Sequence, residues 1–202
     1  MSGKKSVWVG ADPGGKDNFG IAILTGGAHL ASSSVSCADE ALSFLKQHLQ
    51  QMPDGVGVDA PLWWSSGMSG DRHADQWLRA RYGLSGGQVQ TANSLQGAAL
   101  TQGAIFVQRI REMFSQVNVT ESHPKALFNV IADNDWSVFA ARYKLKISQP
   151  VCPHQRDALI AAVAAREGFQ GRWTHDLAST RLPSEQDPMG YWLAPVHYYW
   201  PD

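Results

Sequence analysis

Residues 6–25, SVWVGADPGGKDNFGIAILT, constrain this chain more than any other stretch. Two apolar runs, at 7–11 and 19–24, flank the polar segment Asp12-Pro13-Gly14-Gly15-Lys16-Asp17-Asn18, whose proline and glycines fit a turn. The stretch therefore predicts a β-hairpin. Its first run is apolar throughout, as in a strand buried on both faces. Asp12 stands at the exit of that strand. An ionised carboxylate there costs several kcal/mol unless something positive compensates it, and a divalent cation is the commonest strong compensator. The structural alternative is a side chain that caps the turn through an Asx hydrogen bond.

Residues 10–16 also spell G-x-x-x-x-G-K. A phosphate loop needs Ser or Thr next and must lead into a helix, so that backbone N–H groups cradle the anion. Asp17 and a second strand follow instead, which excludes it.

A chain of 202 residues suffices for one domain that buries roughly 70% of its unfolded surface without staples. Its two cysteines, Cys37 and Cys152, have neither CxxC nor zinc spacing, which suits a reducing compartment. No apolar segment follows the MSGKK start, and no run approaches the length of a membrane span. A soluble, cytoplasmic protein with no membrane contact is expected. Seventeen basic against 18 acidic side chains give a net charge of −1, so no global field draws in a polyanion. Nucleic-acid binding would need a local basic face. The eight tryptophans serve packing first, with stacking as a second use.

Residues 28–36 read as a third, edge strand and 38–50 as a helix with Ala38, Ala41, Leu42, Leu45 and Leu49 on one face. A short apolar strand at 55–58 runs straight into Asp59, a second acid at a strand exit. Residues 63–93, with Trp63-Trp64, the SSGMSG turn, a helix at 71–82 and the GLSGG turn, read as a cover over the site. A long core helix follows over 94–114, then a strand at 117–121 ending on Glu121, and a helix opened by Pro124. Residues 135–150 carry no decisive pattern. Pro153 opens the last strong helix, with His154 and Asp157 on one face of its first turn. The domain is expected over residues 1–170, with the aromatic and proline-rich 171–202 packed on it as an irregular strap.

If the fourth strand lies parallel beside the first, Asp12 and Asp59 fall close enough to share a metal. Hard divalent cations such as magnesium or manganese take oxygen ligands of this kind in phosphoryl-transfer sites. Asp157 would complete the cluster, and His154 could ligate or move a proton. Arg72, Arg79 and Lys125 are candidates for phosphate contacts, and Trp63 and Trp64 for base stacking. The alternative is a solvated helix face for the arginines, with an Asp75–Arg79 pair, and packing for the tryptophans.

This element order, with GADPG around Asp12, VDAPL around Asp59, Arg72-x-x-Asp75 with Arg79, ESHPKAL after Glu121 and HQRDALIAA around Asp157, resembles the family called domain of unknown function 429. The resemblance covers roughly residues 6–168. It implies an α/β, RNase-H-like fold with a mixed five-stranded sheet, three antiparallel strands then two parallel, and helices on both faces. It also implies a nuclease related in motif layout to RuvC-type resolvases, acting on nucleic acid. Asp12, Asp59 and Asp157 would then be metal ligands, with Glu121 and His154 as further catalytic residues. Resolvases carry a glutamate where this chain has the shorter Asp59. Two rivals are an actin- or sugar-kinase-like phosphotransferase, which would need a homodimer to rebuild its nucleotide cleft, and a binding module without chemistry.

Overall fold

The computed structural model describes residues 5–26, 28–65, 70–91, 95, 97–147, 149–185 and 193–202. The middle of the turn read at 65–70, Gly27, Ser94 and Gln96 of the helix read from Ser94, and the strap's 186–192 lie outside them.

Strands β1 (Val7–Asp12) and β2 (Phe19–Thr25) form the expected hairpin, and β3 (Ala28–Val35) pairs antiparallel with β2 as an edge strand. Helix α1 (Ala38–His48) then crosses to β4 (Gly55–Val58), which lies parallel to β1, and β5 (Val119–Glu121) lies parallel to β4. The order β3-β2-β1-β4-β5 is the RNase-H-like mixed sheet. Helices α2 (His73–Tyr82) and α3 (Gly97–Met113) lie between β4 and β5, and α4 (Pro124–Ala132), α5 (Trp136–Arg142) and α6 (Pro153–Phe169) follow β5. Among the described residues no helix is long and apolar enough to cross a membrane.

The two-residue period of a strand divides β1 between two cores. Val7, Val9 and Ala11 pack with α1 and α3, whereas Trp8 packs with α4, α5 and α6. β1 is thus buried on both faces, as its unbroken apolar run predicts. The undecided stretch 135–150 supplies α5, whose Asp135 side chain caps it by accepting from Ser137 N and Val138 N. An α-helix of seven residues gives too few apolar repeats to stand out in sequence.

Helix α6 lies almost directly on the sheet backbone. A Cβ added at Gly10 of β1 would sit 1.8 Å from the Ala158 carbonyl oxygen, and one at Gly57 of β4 1.9 Å from that of Ala161. Only hydrogen at these positions, facing the alanine-rich stripe of α6, permits such an approach. Gly10→Ala is therefore expected to cost about 3 kcal/mol or more, because the obstruction is backbone that no rotamer change can clear. Urea denaturation of the purified variant measures it.

The C-terminal segment is more regular than a strap. His175–Asp176 (β6) and Tyr199–Trp200 (β7) form a two-stranded ribbon, and His197 exchanges backbone hydrogen bonds with Val119 and Glu121 along the open edge of β5. Tyr198 and Trp200 are fully buried.

Candidate active site

Asp12 and Asp59 end neighbouring parallel strands. Ala11 pairs with Val58, and the Asp59 N–H donates to the Ala11 carbonyl at 2.9 Å, which sets the two acids side by side. Strand alternation puts Asp12 in phase with Gly10, and Asp59 with Gly57, on the α6 face. The close seating of α6 then brings its first turn over the same strand ends. His154 reaches Asp12 through Nδ1 at 2.8 Å, and Asp157 is buried beside them. Gly20, opposite Asp12 on β2, makes room for the His154 carbonyl.

These acids line a cleft of about 370 Å³ with Lys125, Ser122 and His123 at the entry to α4, and with Gln88 and Gln90 from the segment after α2. The cover read at 63–93 thus contributes a wall through its last residues. His123 shares a 2.8 Å hydrogen bond between Nε2 and the Gln88 carbonyl, fixing that wall to α4.

Burial pushes the Asp59 carboxyl well up from its ordinary value, and the charges of Asp12 and Asp157 add to the rise. Burial also raises Asp12, against the hydrogen bond and charge of His154. Asp157 is raised by burial and by Asp12, against Arg156, whose Nε donates to it at 2.8 Å. His154 moves up in turn because its hydrogen bond to Asp12 favours the imidazolium. Asp12 and Asp59 lie within hydrogen-bonding reach of each other, which disfavours ionising both together. Lys125 is the cation that relieves Asp59. Among the described residues no three His, Cys, Asp or Glu side chains close into a ready-made ligand set. The donors are nevertheless all-oxygen and under-compensated, which suits magnesium or manganese completed by water, with Asp12 and Asp59 as ligands and Asp157 alongside.

Glu121 also borders this cleft, and its charge adds to the rise of Asp59, but it is 1% exposed and held by partners of its own. Its carboxylate accepts from Arg72 at 2.6 and 2.8 Å and from Leu62 N at 2.9 Å. Arg72 borders the cleft, yet it is 1% exposed and also donates twice to Asp75 at 2.8 Å, so its guanidinium is engaged by two buried carboxylates. Burial opposes its charge, but Asp75 and Glu121 hold it well above its ordinary pKa. Arg79 pairs with Asp71, not with Asp75, and donates to the Val89 carbonyl at 3.0 Å. Trp63 is buried beneath the Arg72 guanidinium, 4.2 Å from its ring centroid, with Nε1 donating to Glu185. Trp64 is 41% exposed and lies outside the cleft lining. Of the five residues proposed for substrate contact, Lys125 alone lines the cleft without being held in a structural pair.

Sequence reasoning missed Arg156 and Ser122. Arg156 could have been found from its position beside Asp157. Ser122 is fully buried, with a hydroxyl that has no partner among the described residues, and nothing in its sequence signals that. No family model matches the chain, and neither does any curated protein or solved structure among those compared.

Proposed function

We propose that the chain is a divalent-metal-dependent phosphodiesterase that cleaves nucleic acid. The observation that carries this reading is the pairing of Asp12 with Asp59 at the ends of two parallel strands, with Asp157 brought to the same cleft by α6. Magnesium or manganese held there supplies Lewis-acid activation of water and charge neutralisation at the scissile phosphate. The chain's own groups do the rest. Lys125, at the first turn of α4, offers a cation and helix N-terminal N–H groups to a phosphate oxygen. His154 is anchored to Asp12 through Nδ1, and its Nε2 carries no hydrogen bond among the described residues. With its pKa raised, it delivers a proton to the leaving oxygen. The motif resemblance to domain of unknown function 429 points the same way.

The test combines manganese titration calorimetry with cleavage of labelled single- and double-stranded DNA and RNA. Wild type is expected to take up manganese and to cut at least one substrate, and chelation is expected to stop the cutting. Heat-silent titration at millimolar manganese together with intact substrates would overturn the proposal in favour of a binding module.

A further inference from the structure

A second cavity, of about 1010 Å³, lies at the opposite end of the sheet from the carboxylates. It opens between the residues that precede β1, the β2–β3 turn, the segment after α5 and the end of α6. Lys5, Arg142, Lys144, Lys146, Arg166 and Arg172 line it, against Glu167 and Asp202. Six of the chain's 17 basic side chains thus meet two of its 18 acidic ones. The net charge of −1 conceals a cationic face.

The charges are held in place. Tyr143 and Leu145 are buried, so the intervening Lys144 and the following Lys146 project to solvent. The Tyr143 carbonyl accepts from the buried Arg166 at 3.0 Å, tying this segment to α6. Arg166 and Arg172 both pair with Glu167, which consumes the groove's principal acid. Lys5, Arg142, Lys144 and Lys146 are exposed and have no carboxylate partner among the described residues. Uncompensated like charges gathered in a groove repel one another, and a polyanion relieves that.

We infer that this groove binds the phosphate backbone of a nucleic acid, at a site separate from the carboxylate cleft. Its aromatic rings, Tyr143 and Trp173, are buried, so no face is offered for base stacking and the contact is to phosphate, independent of base sequence. A concave groove with no exposed apolar rim among the described residues does not suit a lipid surface, which asks for apolar residues that insert. Lys5 precedes β1 and Asp12 ends it, so at about 3.3 Å per residue the two sites stand roughly 20 Å apart. That distance makes the groove a holding surface, and it shares with the nuclease reading only the class of ligand.

The experiment is fluorescence anisotropy of a labelled 30-nucleotide duplex in chelator, over a range of salt, for Lys144→Glu/Lys146→Glu and for the equally charged control Lys46→Glu/Arg81→Glu. The groove variant is expected to lose about tenfold or more in affinity, and its salt slope is expected to fall by about 0.9 for each phosphate contact removed. The control is expected to keep the wild-type slope. Equal losses in both variants would overturn the inference, as would an unbound wild type or binding of anionic vesicles in place of the duplex. Chelator separates the two readings. Lost binding with no cleavage in magnesium leaves the groove and removes the nuclease, while unchanged binding with metal-dependent cleavage does the reverse.

Discussion

Arg72→Ala is expected to destabilise the protein by about 4 kcal/mol, a large part of the roughly 5–15 kcal/mol that typically holds a native chain folded. Truncation would leave Asp75 and Glu121 facing each other, both buried and both deprived of the guanidinium that compensates them. It would also remove the cation seated against Trp63. Arg72→Lys is expected to recover little, since one ammonium cannot reproduce the paired forks to two carboxylates. Denaturant unfolding of the three proteins makes the comparison. A phosphate-contacting arginine would behave oppositely, with stability unchanged and substrate affinity reduced. Restoration by Arg72→Met combined with Glu121→Gln and Asp75→Asn would show that the uncompensated charge carries the cost.

The fold was legible because its signals are local. The hairpin rests on one turn and two apolar runs, and β4 and α6 are strong patterns flanked by glycine or proline. Asp12, Asp59 and Asp157 were legible for the same reason, since each follows or opens an element whose boundary is clear. The arginines and Trp63 were not. Whether Arg72 faces solvent or a buried carboxylate depends on how α2 seats against β5, and the two elements are separated by about forty residues of chain. The pairing of Arg79 with Asp71 is equally a matter of where the chain turns into α2. Glu121 was legible as a third strand-exit acid, and it does border the cleft; its engagement by Arg72 was not, because that partner comes from a distant part of the chain. The basic groove escaped notice because Arg142, Lys144 and Lys146 make only a short basic cluster in sequence, and Lys5, Arg166 and Arg172 join it from separate parts of the chain.

Asp59→Asn is expected to reduce metal-dependent cleavage by about 10³-fold or more, a loss of ~4 kcal/mol in transition-state stabilisation, while raising the stability of the metal-free protein. Asp59 gives a cleaner test than Asp12, whose charge is partly engaged by His154. The pH dependence follows from the sign of its shift. The folded-state pKa lies well above the unfolded value near 4, raised by burial and then by Asp12 and Asp157. The folded chain therefore binds the proton more tightly, and stability falls as pH rises from about 4 through the raised value. Asparagine titrates nowhere in that range, so in chelator the melting temperature of the variant should pull further ahead of wild type as the buffer moves from acid to neutral. Manganese should invert the order at neutral pH, because a cation that binds only the wild-type folded state stabilises that state alone. An Asp59 side chain that merely capped the strand exit would give the opposite pattern, with a variant less stable at neutral pH and no response of either protein to manganese.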